Sequence, residues 1–273
     1  MSEPLGGNPY AAPSPASYPD KFSAAPGTPW QMNYFGALEM IHRNPDWFVN
    51  TLLMFVCAII PVIGGIVLNG YIYETIEILH RTNGNYYPKF DFNRFTEYLL
   101  RGVGPFLIGL VLGMILAAAI FFGYIAVVAS ALAASAAADK GNEAAVGAGV
   151  LGAIGVVVLL IFLVSFAISF FSVPLGLRGG ISGDIGQSFN FTWAIDFIKK
   201  TWLEMILVFL FQVAVGIVME IVFFVTCGLA ILIALGYVFL ISAWLQYQLY
   251  RVYLSRGGEP IPCKPVPLPM PVG

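Results

Sequence analysis

Charge is what this sequence has least of. Of its 273 residues only 10% are Asp, Glu, Lys or Arg, against about 25% in soluble domains. A water-exposed surface cannot be built from so few, which excludes an ordinary soluble globule. Histidine is limited to His42 and His80. The three cysteines are Cys57 and Cys227 in apolar runs and Cys263 in a Pro-rich tail. They show no CxxC or metal spacing, so neither a disulfide framework nor a zinc site is expected. The net charge is -2 and no basic cluster is present, so nucleic acid is not an expected partner. The first residues lack a basic stretch followed by an apolar one, so no signal peptide is expected there.

What the chain does have is hydrophobicity: 59% apolar residues and a mean hydropathy of +0.83. The expected class is an all-α integral membrane protein with the lipid bilayer as its first partner.

A ten-residue pattern recurs three times: aromatic-x-x-apolar-x-acid-x-Leu/Ile-x-base. The copies occupy residues 34–43, 92–101 and 191–200. On a helix the aromatic and apolar positions share one face, and each acid stands four residues before its base (Glu39/Arg43, Glu97/Arg101, Asp196/Lys200), the favourable order. Each copy precedes a long apolar run. Three interfacial amphipathic helices are therefore expected, all on one side of the bilayer.

Residues 1–30 hold seven prolines with Gly, Ala and Ser, too little apolar surface to offset ordering entropy, so a disordered arm is expected. Residues 47–81 form the ambiguous segment. As one helix it would run about 52 Å, well beyond a core of about 30 Å. Pro61, Gly64 and Gly65 are the expected break. The segment reads as a short hairpin with its tip shallow on the far side; a single kinked span is the alternative. Further spans are expected at 104–137, 144–171, 202–226 and 229–255, about six in all. Small residues (Gly109, Gly113; Gly149, Gly152, Gly155) suggest a tight pairing of the third and fourth. Residues 178–187 read as a glycine-rich loop, and prolines from position 260 onward make an extended tail. The expected organisation is an arm (1–30), a helical transmembrane domain (31–256) and a cytoplasmic tail (257–273).

With six spans, 12 of the 13 Lys and Arg fall on the side of both termini, and Lys140 alone lies opposite. The positive-inside rule makes the terminal side cytoplasmic, in a cell's inner membrane. One span at 47–81 would give 10 against 3. The first and third pattern copies are each followed by a Trp, two apolar helices and an ending in base, Gly and Pro, which suggests an internal repeat.

Several residues together resemble a known family. They are Pro61-x-x-Gly64, Gly70-Tyr71, Arg81, Pro88-x-Phe90-Asp91 and Gly102, then Gly183-Asp184, Ser188-Phe189 and Trp202. The run resembles the prokaryotic membrane family filed as domain of unknown function 4013, over roughly residues 40–256. The resemblance implies a multi-pass helical protein and brings no activity, cofactor or catalytic residue.

Chemical candidates are few. Gly180-Ile181-Ser182-Gly183 matches the surroundings of an intramembrane serine nucleophile, but such chemistry needs a His within reach, and both histidines lie at the cytoplasmic boundary. The loop's GxxGxxG follows no strand, so a phosphate cradle is not expected. Glu220 is the one acid well inside an apolar run, an intramembrane functional candidate; a carboxylate reaching outer water is the plainer reading. Glu74, Glu77 and His80 read as a solvated helix end, with a ligand site as the alternative. Pro262-x-x-Pro265 fits a spacer, or an SH3-like ligand. No catalytic residue, cofactor or metal is expected, and the chain is not expected to be an enzyme. The expected role is a non-enzymatic membrane organiser or partner-binding protein, with other membrane proteins or a homo-oligomer as partners. The alternative is a small-solute or ion transporter or channel using the broken first hairpin and Glu220.

Overall fold

The computed structural model describes residues 30–138 and 143–262. Among the described residues every regular element is helical. These are α1 (Gly36–Arg43), α2 (Trp47–Ala58), α3 (Ile63–Arg81), α4 (Phe95–Ala138), α5 (Glu143–Ser182), α6 (Phe191–Val225) and α7 (Ile231–Ser255). Short 3-10 turns at Phe92–Arg94 and Gly186–Phe189 lead into α4 and α6. Lys140 and most of both tails lie outside the described residues.

Four helices, α4 to α7, are long and apolar enough to cross a bilayer. The 44 residues of α4 run about 66 Å and the 40 of α5 about 60 Å, roughly twice a hydrocarbon core. They exceed the expected spans because the flanking segments join them. The second pattern copy is continuous with α4 rather than a separate short helix. The third is continuous with α6, bent at Thr201 (φ -129°) where the apolar run begins. Only the first copy forms a helix of its own.

The supposed glycine-rich loop is half helix: positions 178–182 are the last turns of α5, which passes through Pro174. Proline removes one backbone donor, yet Leu175 and Leu177 just beyond it are buried, and that burial carries the helix on.

The chain does break at Pro61. α2 and α3 form a hairpin whose tip is a γ-turn, with Ile63 N–H donating to Pro61 O at 2.7 Å and Val62 at φ 63°, ψ -62°. That region is strained for a β-branched residue. The hairpin's second arm, α3, packs along the first turns of α4: a Cβ on Gly102 would meet Ile66 O at 1.8 Å, one on Gly70 would meet Tyr98 O at 1.8 Å, and Gly65 faces the Phe106 ring. α4 then continues to Ala138, far past the hairpin tip.

The stops are shared. Gly84, Gly228 and Gly258 each donate N–H to a carbonyl five residues back (Leu79, Phe223, Tyr253) at 2.8–3.0 Å. These are Schellman closures; the left-handed residue falls just before each donor, at Asn83 (φ 53°), Cys227 (φ 51°) and Gly257 (φ 73°), and Gly84 and Gly228 continue the positive φ at 80° and 88°.

Burial is lopsided. The core gathers most of α3, the first turns of α4, the last turns of α5, the first half of α6 and the second half of α7, with Tyr87 and Phe90 from the loop after α3. Beyond it the outer lengths of α4, α5 and α6 expose their large apolar side chains. α4 and α5 do pair, but not through the small-residue stripe: Gly109, Gly113, Gly149, Gly152 and Gly155 have nothing within 4 Å of an added Cβ. The close approach along this pair is Gly123 against Val157.

The described residues at both ends, Trp30 and 257–262, dock on α7. Trp30 Nε1 donates to Gln248 at 2.8 Å, and its ring lies 3.8 Å under the Arg251 guanidinium. After α7, residues 257–262 fold back, and Ile261 is buried.

Candidate functional site

The most elaborate polar structure lies between α3 and α4. Glu74 and Glu77 are one turn apart on α3 and each only 2% exposed, so the solvated face expected for them is not found. Their partners come from the second pattern copy. Arg94 donates to both oxygens of Glu74 at 2.5 and 2.8 Å. Arg101 reaches Glu77, which also receives Arg81 from its own helix. Arg101 Nη1 lies 3.8 Å from Glu74, so the two acids share one cation. Arg101 Nε also donates to Gly180 O at 2.8 Å, tying the end of α5 into the cluster.

This overturns the pairing expected inside that copy. Glu97 pairs with Arg94 at 2.7 Å and Arg101 turns inward. A buried carboxylate attracts the cation more strongly than an exposed one does. The other two copies keep their pairs, Glu39–Arg43 at 2.6 Å and Asp196–Lys200 at 2.9 Å. Each copy is also capped by the residue before it. Asn33 Oδ1 accepts from Gly36 N, Asp91 Oδ1 from Asn93 N and Asn190 Oδ1 from Trp193 N, at 2.9–3.0 Å. An Asn or Asp ahead of each aromatic was visible in the sequence, and it lengthens the repeat by one position.

Against the cluster lies a cleft of about 720 Å³, walled by the α1–α2 junction and the loop after α3. Arg43, Asp46, Tyr87, Lys89, Phe90 and Arg94 face it, so Arg94 belongs to both cleft and cluster. Asn50 fixes the loop: its Nδ2 donates to Tyr71 Oη at 2.8 Å and its Oδ1 accepts from Phe90 N at 2.6 Å. Tyr71 Oη donates on to Pro88 O, and Tyr87 Oη to Ile41 O. Burial pushes the Tyr87 phenol up to about 12, so it stays a donor at any physiological pH. Lys89 closes on Asp46 at 2.9 Å across the mouth. Asn50 gave no sequence signal, because its role depends on contacts 21 and 40 residues away.

His80, in the last turn of α3, lies against Tyr250, the ring centroids 5.0 Å apart and the planes tilted at 54°. Burial, then Arg251 and Arg81, lower it to about 4, so it is neutral at pH 7. His42 stands apart, its Nδ1 2.7 Å from Leu38 O and its Nε2 3.0 Å from Tyr237 Oη. Ser182 is buried, with Oγ donating to Gly179 O at 3.3 Å and accepting from Asp184 N at 3.2 Å. Neither histidine is among its hydrogen-bond partners. Among the described residues no group of three or more His, Cys, Asp or Glu is placed to hold a metal ion. Cys57 is buried and Cys227 exposed, both free; Cys263 and Pro265 lie outside the described residues. Glu220 is exposed on the outer part of α6, about one and a half turns short of its end at Val225.

The family model described as "Protein of unknown function (DUF4013)" matches residues 53–228, and the chain belongs to that family. The match is narrower than 40–256, leaving α1, the first half of α2 and all of α7 outside it. No curated protein and no solved structure matches. The motif residues inside the match have structural work here. Gly70 and Gly102 let α3 and α4 touch, Tyr71 and Phe90 hold the loop, Arg81 pairs with Glu77 and Asp91 caps the turn into α4.

Proposed function

We propose that this family member is a non-enzymatic multi-pass protein of the cytoplasmic membrane, which organises other membrane proteins or further copies of itself. Six helices meet the bilayer in this reading: α4 to α7 cross it, and α2 with α3 enters as a short hairpin from the side of the termini. Either six crossings or four plus a hairpin is an even arrangement, so both termini share a side, and 12 of 13 Lys and Arg mark that side as cytoplasmic. The amphipathic copies then lie at the inner boundary, where Phe35, Phe92 and Phe191 expose their rings.

The observation that carries the reading is where charge lies. Buried charges are gathered and paired at one end, while α4 after Arg101, α5 from position 144 to 177, α6 after Glu204 and α7 before Arg251 contain a single Asp, Glu, Lys, Arg or His, namely Glu220. Helices with so little polar lining suit holding a position in lipid better than passing ions. Glu220 itself favours the second reading, a transporter or channel, since an acid within an apolar span is costly to keep.

Two measurements on protein reconstituted from native lipid separate these readings. The organiser predicts specific co-purifying membrane proteins or a stable homo-oligomer, and solute or ion flux no greater than in empty vesicles. Flux that depends on Glu220 would replace it with the transporter.

A further inference from the structure

Arg178, near the end of α5, is the most deeply buried cation among the described residues, at 6% exposure. Its Nε donates to Gln187 Oε1 at 2.9 Å and its guanidinium lies 5.3 Å from the Trp193 ring, but Nη1 finds no acceptor. A buried guanidinium is costly to keep without an anion, and an amide and a ring face supply only partial negative charge. The carboxylate it meets is Glu259, 3.6 Å from Nη2, delivered by the segment after α7. Glu259 is itself 67% exposed, so this key fits the lock loosely.

The rest of that segment is held by its backbone. The chain turns at Gly257 (φ 73°), whose carbonyl accepts from Lys200 Nζ at 3.0 Å. Trp193 Nε1 donates to Glu259 O at 3.0 Å, Glu259 N–H donates to Tyr253 Oη at 3.0 Å, and Ile261 N–H donates to Tyr250 Oη at 2.9 Å. Ile261 is buried. Main-chain bonds for affinity, with alternate side chains entering pockets for specificity, is how proteins bind extended peptides. The two positions read here are an acid at 259, which faces Arg178 from the exposed rim, and an aliphatic at 261, which is buried. Pro260 and Pro262 alternate with them and keep the strand extended.

We propose that the groove between the ends of α5 and α7 and the start of α6 is a recognition site for an extended acid-Pro-aliphatic-Pro peptide. At rest the chain's own residues 257–262 occupy it, and a partner protein presenting the same pattern takes their place. The site stands on its own geometry and is independent of the organiser reading. Tethering gives the internal segment an effective concentration in the millimolar range, so an outside peptide gains access when the internal one is weakened.

Full-length protein in lipid nanodiscs tests this, with amide hydrogen exchange at Ile261 and a fluorescent peptide copying positions 257–262. Glu259→Gln is expected to speed exchange at Ile261 at least tenfold and to tighten binding of the peptide at least tenfold. The same peptide carrying Gln for its acid is expected to bind neither form. Arg178→Gln is expected to abolish peptide binding. Should it fail to fold, Trp193→Phe, which keeps the ring and loses the donor to Glu259 O, is expected to weaken binding at least fivefold. Unchanged exchange in Glu259→Gln, a peptide that binds neither form, or binding indifferent to the peptide's acid or to the donor at Trp193 overturns the proposal.

Discussion

Glu77 serves two guanidinium groups, Arg81 and Arg101, inside the packed base. Replacing it by Gln removes the charge that both of them face, and breaking a buried pair from one side costs about 3–5 kcal/mol. Thermal unfolding in detergent should show a large drop for Glu77→Gln. Glu39→Gln removes an exposed pair and should cost less than about 1 kcal/mol. His80 adds a pH dependence with a definite sign. Its folded value of about 4 lies below its ordinary 6.5, so the unfolded chain takes up the proton first. Stability is then full above about pH 6.5 and falls as pH drops towards 4, by up to about 3 kcal/mol. His80→Asn should flatten that part of the curve; an unchanged slope would show that other groups carry it. Glu220→Gln, which keeps shape and removes charge, should leave folding intact or slightly improved. A flux loss of about tenfold in folded protein would instead mark a coupled charge. Little of this pairing was legible at the residue level. Glu74 and Glu77 reach arginines 20 and 24 positions on, across a loop, and the local i, i+4 rule pointed Arg101 at Glu97 instead.

At the scale of helices the sequence reading fared better, for physical reasons. Apolar runs of bilayer length reveal themselves by composition, and the stops at Gly84, Gly228 and Gly257-Gly258 fall where glycine allows the closing turn. It erred where burial outweighed local preference, as at Pro174, and where glycine spacing was taken for contact. That last error gives a direct test. Gly102→Ala and Gly70→Ala each push a Cβ to 1.8 Å from a backbone oxygen, which neither helix can relieve by rotating a side chain. Each should cost at least about 3 kcal/mol and loosen α3 from α4, read as faster hydrogen exchange in both. Gly109→Ala and Gly149→Ala meet open space and should be neutral or gain up to about 1 kcal/mol from helix propensity. Asn190→Ala removes the cap of α6 and should cost about 1 kcal/mol.

Across the whole molecule the arrangement is a packed base bearing apolar arms, and the even count of membrane passages is its most exposed claim. Single cysteines at Ser14 and Val272, in a background lacking Cys57, Cys227 and Cys263, should both react with a cytoplasmic thiol reagent. Labelling from opposite faces would require an odd number of crossings. The class of protein was plain from composition alone; the docking of Trp30 and of residues 257–262 on α7 was not, since those contacts span 218 positions at the front and depend on buried tyrosine hydroxyls at the back.

That docking has a consequence in time. α1, α2 and α3 all rest on α7, through contacts such as His42 with Tyr237 and Asn33 with Trp244, 195 and 211 residues apart. At a synthesis rate of about 5–20 residues per second, the first three helices wait roughly 10–40 s for that wall to emerge. The acids of α3 wait far less, because Arg94 and Arg101 follow within 24 positions. The nascent chain thus neutralises its buried charge early and closes its apolar seam late. In that interval α3 and α4 must survive as a pair, with the face meant for α7 turned towards lipid or whatever chaperone the membrane supplies.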